Sequence, residues 1–192
     1  LKAAKLNSKK ADPFALLGIL YEISGDKKRA IGCYRKSLVI ESSHPVSGRG
    51  LLRLEPFNDV KDLCIAATQS MSLMSGWAWL AIGLYNSLSK GNDDAAVVCL
   101  QQALRARDIE MMRYQNLGIF YSIPNPADFN RLTELGLTWA ELAGCYRRQN
   151  KYSASLRAYN LASKACNGQI PPMTACAWAN VEIELGLIQE GS

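Results

Sequence analysis

The sequence has little histidine and no close pair of cysteines. Its 192 residues contain one histidine, His44, and six cysteines, none of which are spaced as C-x-x-C. An ordinary zinc site draws four ligands from closely spaced Cys and His residues, so neither a zinc site nor another metal site is expected. Five of the six cysteines fall within apolar helical patterns, where Cys serves as a small core residue. His44 precedes Pro45 in a predicted turn, and we expect its ring to be exposed to solvent.

The sequence also lacks long hydrophobic runs. No apolar run approaches the roughly 20 residues that a membrane-spanning helix needs, and no signal peptide is visible. The chain has no N-x-S/T sequon, and its cysteines fit a reduced compartment. These features predict an intracellular protein without membrane association. The expected location is the cytoplasm, with the nucleus as a further one.

Catalytic motifs are absent as well. The sequence contains no phosphate-binding G-x-x-x-x-G-K-S/T loop, no G-x-S-x-G and no H-E-x-x-H. Cys145 lies in a helix-packing pattern, and its repeat has no His that could activate a thiol nucleophile. We therefore expect no enzymatic activity, no catalytic residue and no cofactor.

The charge distribution does not indicate a nucleic-acid-binding protein. The formal net charge is +5, and Lys and Arg are spread over predicted helix ends and turns, as in Lys27-Lys28-Arg29 and Arg147-Arg148. A nucleic-acid-binding surface usually concentrates basic residues and interleaves them with aromatic ones. We expect a solvated helix surface and no direct nucleic-acid contact.

What the sequence does contain is a pattern that occurs four times. An aromatic residue is followed by Leu-Gly three and four positions later and by Tyr seven positions later, as in Phe14-Ala15-Leu16-Leu17-Gly18-Ile19-Leu20-Tyr21. A second full copy begins at Tyr114, and looser copies begin at Trp79 and Trp139. This pattern is typical of the tetratricopeptide repeat (TPR), a helix pair of about 34 residues. The signature residues are Phe14, Leu17, Gly18, Tyr21, Trp79, Gly83, Tyr114, Leu117, Gly118, Tyr121, Trp139, Leu142 and Tyr146.

The pattern predicts an all-α fold, a TPR superhelix in which antiparallel helix pairs stack into an α-solenoid. The predicted repeats are 11–43, 44–75 (degenerate), 76–109, 111–135 (with a truncated second helix), 136–169 and 170–192 (partial). The predicted helices are 13–24, 27–41, 44–54, 58–74, 76–89, 93–106, 109–122, 130–149, 151–166 and 172–189. Both ends of the sequence have helical patterns without a partner helix, so we expect a single TPR array cut from a longer protein.

Glycines of the pattern should lie where two helices approach closely. A side chain at such a position would force the helices apart, and Gly18→Leu should destabilise the fold by about 2 kcal/mol or more. The glycines expected to be buried at helix–helix contacts are Gly18, Gly83, Gly118 and Gly144.

The copy that begins at Tyr114 is too short for a complete helix pair. The interval from Tyr114 to Trp139 is well below one period, and Pro124-Asn125-Pro126 interrupts it. Beyond these prolines, apolar residues recur at three- and four-residue steps, which predicts one long helix over 130–149. Its extra turns should cover the aromatic residues of the preceding helix in place of the missing second helix.

The inner face of the first helices would form a concave groove. The positions that line such a groove in TPR proteins are mostly apolar here, and two are acidic, Asp12 and Glu22. These carboxylates would repel an acidic peptide tail of the kind that chaperone-binding TPR clamps hold. The apolar row fits either partner contact or packing against an adjoining helix. The candidate partner-binding residues are Trp77, Leu80, Leu84, Met112, Gln115 and Ile119.

Several unusual stretches resemble one particular TPR family. The sequence GDKKRAIGCYRKS at 25–37 is similar to G-D-K-x-R-A-x-G-C-Y-R-K-A in the large TPR subunit of the superkiller (Ski) complex. The sequence GWAWL at 76–80, followed by Gly83-Leu84-Tyr85, resembles K-W-A-W-L-x-x-G-L-Y of the same family. The family has A-D-P where this chain has Ala106-Arg107-Asp108. The resemblance covers a little over half of the chain.

The resemblance implies a non-catalytic scaffold. In that family the TPR subunit holds a DExH-type RNA helicase and WD40 propeller subunits together, and the assembly feeds mRNA to the cytoplasmic exosome for 3′ to 5′ decay. The partners implied for this chain are therefore proteins, with the exosome reached indirectly. The alternative is a generic TPR adaptor or co-chaperone that binds a peptide in its concave groove.

Overall fold

The computed structural model describes residues 9–70, 75–89, 91–116 and 126–186, with side chains described outside residues 108, 111–116 and 126–133. Within these ranges the chain forms nine helices and no strand, which confirms the predicted all-α fold. The helices are α1 (Asp12–Ile23), α2 (Lys27–Ile40), α3 (Pro45–Leu54), α4 (Phe57–Gln69), α5 (Gly76–Leu88), α6 (Asp93–Asn116), α7 (Pro126–Arg148), α8 (Tyr152–Ala165) and α9 (Pro172–Glu184).

Most predicted helix boundaries agree closely with the structure. Those of α1, α2, α3, α5 and α8 differ from the predictions by about one residue at either end. Two helices end earlier than predicted, α4 at Gln69 and α9 at Glu184. Gly186 follows α9 with φ of 70°, a left-handed conformation that commonly terminates helices.

One predicted boundary is wrong. Separate helices were expected over 93–106 and 109–122, but α6 runs without interruption from Asp93 to Asn116. The intervening Ala106-Arg107-Asp108 contains neither Pro nor Gly, so no residue there ends the helix. The proline of the similar family sequence is the residue that this chain lacks at that point.

The long helix expected after the Pro-Asn-Pro sequence is confirmed. It begins earlier than predicted, at Pro126, and ends at Arg148. Proline suits the first turn of a helix because the amide that it lacks would have no intrahelical acceptor. Gly136 lies inside α7, which excludes a tight turn there. The aromatic side chains that α7 was expected to cover lie outside the described part of the structure.

Packing divides the chain into two compact units. Unit 1 is Leu1–Ile82 with Arg105–Ser122, and unit 2 is Gly83–Leu104 with Ile123–Ser192. The division into six repeats stays a prediction.

In unit 1, α1 and α2 pack as an antiparallel pair with α3 beside them. Asp26 ends the short connection at 24–26 and caps α2, since its carboxylate accepts the backbone N–H of Arg29 at 3.0 Å. Near the other end of α2, the Ser37 hydroxyl donates to the carbonyl oxygen of Ala11 at 3.2 Å. The α1–α2 pair is thus held by a helix cap at its connection and by a hydrogen bond at its other end.

In unit 1, aromatic rings pack directly against glycines of the neighbouring helices. The Tyr34 ring of α2 lies between Gly18 of α1 and Gly50 of α3, and a Cβ on either glycine would overlap the ring. The Trp77 ring of α5 lies in the same way on Gly48 of α3. The expected burial of Gly18 is therefore confirmed, and its neighbour across the helix contact is a ring.

His44 is fully buried, so the expected solvent exposure is wrong. The residue is the N-cap of α3, where its Nδ1 accepts the backbone N–H of Ser47 at 3.4 Å. Its Nε2 lies 3.0 Å from Oδ1 of Asp12. Because Nδ1 is the acceptor, the neutral ring carries its proton on Nε2 and donates it to Asp12. Capping a helix that packs on α1 places the ring inside the fold.

In unit 2, α7 and α8 form an antiparallel pair, and α9 packs against both. The Ser155 hydroxyl donates to the carbonyl oxygen of Ala143 at 2.8 Å, and Gly136 faces the side chain of Cys166. The core of this unit consists mainly of small residues around one buried tyrosine. One buried cluster of this core contains Ala143, Ala158, Tyr159 and Val181.

The burial predictions for the other signature glycines differ in their outcomes. Gly83 is buried, and a Cβ there would lie 3.0 Å from the side chain of Leu100, so the prediction for Gly83 is confirmed. Gly118 lies outside the described residues. Gly144 is only half-buried, and the sole nearby atom that its Cβ would meet is Nη1 of Arg148 at 3.4 Å.

The prediction for Gly144 is therefore wrong, and Ala143 holds the close-contact position instead. Ala143 is completely buried. It follows Trp139 by four residues, as Gly18 follows Phe14, whereas Gly144 is one position further round the helix.

Candidate protein-interaction site

The residues of the apolar row, which were predicted to line the groove, have different environments in the structure. Trp77 is 1% exposed and belongs to the core of unit 1, so its side chain packs internally. Leu80 and Leu84 are half-buried, and their contact with a partner stays a prediction. The side chains of Met112 and Gln115 are not among those described, and Ile119 lies outside the described residues.

A buried acid holds the backbone at Trp77. Glu110 is 1% exposed and accepts the backbone N–H of Trp77 at 2.7 Å. Nη2 of Arg49 donates to the other oxygen of Glu110, also at 2.7 Å. The carboxylate thus satisfies the backbone N–H of Trp77, which has no intrahelical acceptor at the start of α5, and joins α5 to α3. The sequence gives no signal for this long-range contact.

Both acidic groove positions are engaged inside unit 1. Asp12 accepts a hydrogen bond from Nε2 of His44, and Glu22 accepts hydrogen bonds from the Tyr34 hydroxyl at 2.6 Å and from Arg53 at 2.9 Å. Desolvation tends to raise the pKa of Glu22, but the hydrogen bonds from Arg53 and Tyr34 outweigh it and hold the pKa below its ordinary value. These carboxylates link α1 to α2 and α3.

An exposed apolar stripe on α1 is the clearest candidate surface that the sequence analysis missed. Leu16, Leu20 and Ile23 are 38%, 61% and 62% exposed. Their four- and three-residue steps place them on one side of the helix, opposite the buried Phe14 and Gly18. The sequence alone could have identified the stripe, because these apolar residues recur at helical spacing on the face of α1 opposite Gly18.

A polar cluster in unit 2 surrounds Cys145. Arg148 donates to Asp93 at 2.7 Å and to the Ser87 hydroxyl at 2.7 Å, and Ser87 also contacts Glu141. The hydrogen bond from Arg148 lowers the pKa of Asp93, and the same bond raises the pKa of Arg148. These bonds tie the start of α6 to the end of α7.

The chemistry of the cysteines agrees with a structural role. Burial raises the pKa of Cys145 and Cys99, and it raises the pKa of Cys64 to about 12. A thiol in this state has little thiolate at neutral pH and is a weak nucleophile. In the described ranges no group of three His, Cys, Asp or Glu side chains is placed to hold a metal ion, and no helix is long and apolar enough to span a bilayer.

Three known proteins that are similar to this chain carry two names between them. No protein-family model matches the chain. Superkiller complex protein 3 of Mus musculus is 32% identical over 188 residues, which are 90% of this chain and 12% of the mouse protein. The Homo sapiens protein of the same name is 32% identical over 170 residues, 85% of this chain and 9% of the human protein. Tetratricopeptide repeat protein 37 of Xenopus laevis is 33% identical over 127 residues, 63% of this chain and 8% of that protein.

These similarities confirm the resemblance found in the sequence and extend it beyond the first half of the chain. The two names agree with the superkiller resemblance and with the repeat signature. The chain spans about a tenth of the length of the curated relatives it matches.

Proposed function

We propose that this chain, which belongs to the family of superkiller complex protein 3, is a non-catalytic part of a TPR scaffold that binds other proteins. The observation that carries the proposal is the 32% identity over 90% of the chain to a protein named for a complex. The antiparallel helix pairs and the exposed stripe of Leu16, Leu20 and Ile23 suit a protein-binding surface.

The partners in this proposal are a DExH-type RNA helicase and WD40 subunits. The resulting assembly would deliver mRNA to the exosome for 3′ to 5′ decay, in the cytoplasm and also in the nucleus. The chain itself would contact proteins and not RNA. Support for a non-catalytic role comes from the buried thiols, whose raised pKa values make them poor nucleophiles.

Affinity purification of the full-length protein that contains this chain tests the proposal. We expect a DExH-type helicase and a WD40 protein to be captured together. Capture of Hsp70 or Hsp90 in their place would favour the alternative co-chaperone function and contradict the scaffold proposal. Asp12 and Glu22 count against that alternative, because a clamp for an acidic tail needs free basic donors at these positions. Both residues are carboxylates already bonded to His44, Tyr34 and Arg53.

A surface variant sharpens this experiment. Changing Leu16, Leu20 and Ile23 together to Ser should reduce partner capture, since the three side chains form one apolar surface. Val39→Ser is the matched control, because Val39 is 82% exposed and lies outside the stripe. Equal capture by the triple variant and the control would exclude the α1 stripe as a contact surface.

A further inference from the structure

The outer side of α2 in unit 1 carries positive charge and no negative charge. The helix contains five basic residues and neither Asp nor Glu. Its inner side, which includes Ala30 and Tyr34, packs in the core of unit 1. Lys28, Gly32 and Lys36 are exposed and follow one another at four-residue steps, so they form a row on the opposite side of the helix. We call this row the α2 outer surface.

The two lysines of this surface are not neutralised by the described part of the chain. No described Asp or Glu lies within ion-pair distance of Lys28 or Lys36, whereas Arg35 of the same helix is bonded to Glu55 at 2.8 Å. The amine of Lys36 lies 4.5 Å from the centroid of the Phe14 ring, a contact that orients a cation without cancelling its charge. The surface therefore presents two positive charges whose backbone positions are about 12 Å apart along the helix.

Gly32, at the centre of the surface, is not explained by packing within the described residues. A glycine in the middle of a helix is less stable than an alanine, because it loses more backbone freedom on folding. Three other glycines of unit 1 have a packing reason, since a Cβ on Gly18, Gly48 or Gly50 would overlap an aromatic ring. No described atom lies within 4 Å of a Cβ added at Gly32. The missing side chain leaves a low point between the lysines, where another backbone can approach closely.

Helix α8 of unit 2 shows what such a surface is like without the glycine. It also lacks acidic residues and has two exposed cations about two turns apart, Arg157 and Lys164. Leu161 lies between them on the same side of the helix and is 40% exposed. Because the leucine fills the space that is open at Gly32, α8 has similar charges but no low point.

We infer that the α2 outer surface binds an acidic helix of a partner protein, which crosses α2 at Gly32 and places carboxylates on Lys28 and Lys36. The inference rests on the proposed protein-binding function and specifies one of its contacts. Two acidic residues two turns apart on the partner helix would match the spacing of the lysines. A second copy of this chain does not fit, because the same lysines would face each other. Val39 lies beyond Lys36, outside the crossing.

The surroundings of the surface favour an acidic protein helix over single-stranded RNA. Proteins bind single-stranded RNA through a track of cations and through aromatic rings on which the bases stack. The rings beside the surface are those of Phe14 and Tyr21, and Lys36 and Arg29 lie over them. The Phe14 side chain is also buried, at 6% exposure. The surface thus offers charge and close approach, but neither ring is free for stacking.

Fluorescence anisotropy of a labelled peptide, titrated with the full chain, tests the inference. The probe is an alanine-rich helical peptide of about 16 residues with two Glu residues about two turns apart. The matched control peptide has Gln at both positions and is otherwise identical. We expect saturable binding of the Glu peptide with a dissociation constant on the order of 1 mM, and binding about tenfold weaker for the Gln peptide. Added salt should weaken binding of the Glu peptide.

Two matched charge variants assign the binding to α2. Lys28→Gln combined with Lys36→Gln should weaken binding of the Glu peptide by about tenfold, because both cations are lost. The control is Arg157→Gln combined with Lys164→Gln, which removes two exposed cations of α8 and should leave the affinity unchanged.

Variants of Gly32 separate a specific contact from general charge attraction. Gly32→Leu keeps both lysines but fills the low point, so the affinity for the Glu peptide should fall by about tenfold. Gly32→Ala should weaken binding by about threefold, although the same substitution stabilises the isolated helix. A merely structural role of Gly32 would not produce these opposite effects on stability and binding. Far-UV circular dichroism checks that each variant is folded.

Several results would overturn the inference. These are equal binding of the Glu and Gln peptides, undiminished binding by the folded double lysine variant or by folded Gly32→Leu, and an equal loss of affinity in the α8 control. Tighter binding of a short single-stranded RNA than of the Glu peptide would assign the surface to nucleic acid and overturn it too.

The purification experiment distinguishes this inference from the scaffold proposal. If the full-length protein captures its helicase and WD40 partners but the titration fails, the α2 assignment is wrong and the scaffold proposal stands. If the unaltered full-length protein captures neither partner, the scaffold proposal fails irrespective of the titration.

Discussion

The two units close their helix contacts in opposite ways. In unit 1 the large rings of Tyr34 and Trp77 fill the space left by glycines on the facing helix. In unit 2 the pair α7–α8 meets through small side chains such as Ala143, and the link from α6 to α7 is the polar bond between Asp93 and Arg148. One repeat signature thus permits two kinds of contact. Unit 1 should depend mainly on its ring contacts and the α7–α8 pair of unit 2 on small-residue contacts, while both units also contain ion pairs.

Removal of a ring should therefore have its largest effect in unit 1. Trp77→Ala should destabilise unit 1 by about 4 kcal/mol, because the side chain is fully buried and the glycine on α3 cannot fill the cavity. The backbone N–H of residue 77 remains on Glu110, so the loss reports the ring alone. Hydrogen exchange of the α2 and α3 amides measures the change within this unit.

The matched variant in unit 2 is Trp139→Ala. Trp139 is half-buried at the edge of its core, so we expect a loss of about 2 kcal/mol in the α8 amides. Equal losses from the two tryptophan variants would remove the proposed difference between the units.

The next prediction adds a side chain at a ring contact. Gly18→Leu should destabilise unit 1 by about 2 kcal/mol or more, because the new side chain meets the Tyr34 ring, which Gly50 holds from the other side. Gly32→Ala is the control, since Gly32 is exposed on α2 and no atom lies near its missing Cβ. That control should stabilise the helix by about 0.5 kcal/mol in urea denaturation. An unchanged midpoint for Gly18→Leu would refute the ring contact.

As the pH falls, unit 1 should begin to lose stability before unit 2 does. The folded-state pKa of Glu22 lies below its ordinary 4.5, and that of Asp93 below its ordinary 3.8. A lowered carboxyl pKa contributes stability above the ordinary value, and this stability is lost as pH falls through the folded pKa. Unit 1 should therefore begin to lose stability below about pH 4.5 and unit 2 below about pH 3.8.

Single-charge variants measure these acid effects. Glu22→Gln should flatten the pH dependence of the α1 and α2 amides, and Asp93→Asn should flatten that of the α7 amides. Asp62→Asn, at an exposed position of α4, serves as the control. The prediction fails if the control flattens either profile as much as the paired carboxylates do.

The fold could be predicted from the sequence because its signals are local. Helical periods and caps such as Asp26 lie within a few residues of the helices that they define. The same kind of signal would have placed His44 correctly, since Pro45 marks the first turn of α3 and the preceding residue is its cap. The uninterrupted α6 could likewise have been predicted from the absence of a helix breaker after Ala106.

The contacts between helices could not be predicted in the same way. Gly48 and Gly50 lie on α3, outside the copies of the repeat signature, and their roles depend on rings from α5 and α2. The sequence therefore left Trp77 equally compatible with a partner surface and with the core.

The smallest expected effect tests the corrected position in unit 2. Gly144→Ala should stabilise α7 by about 0.5 kcal/mol, because alanine costs less backbone entropy in a helix and its Cβ meets only Nη1 of Arg148 at 3.4 Å. The bonds from Arg148 to Asp93 use Nε and Nη2, so a small shift of Nη1 leaves them intact. Ala143→Leu, one residue earlier, should instead destabilise by about 2 kcal/mol, since that position is completely buried. Urea denaturation of both variants decides between the positions. A loss for Gly144→Ala as large as that for Ala143→Leu would mean that Gly144 holds the helix contact after all.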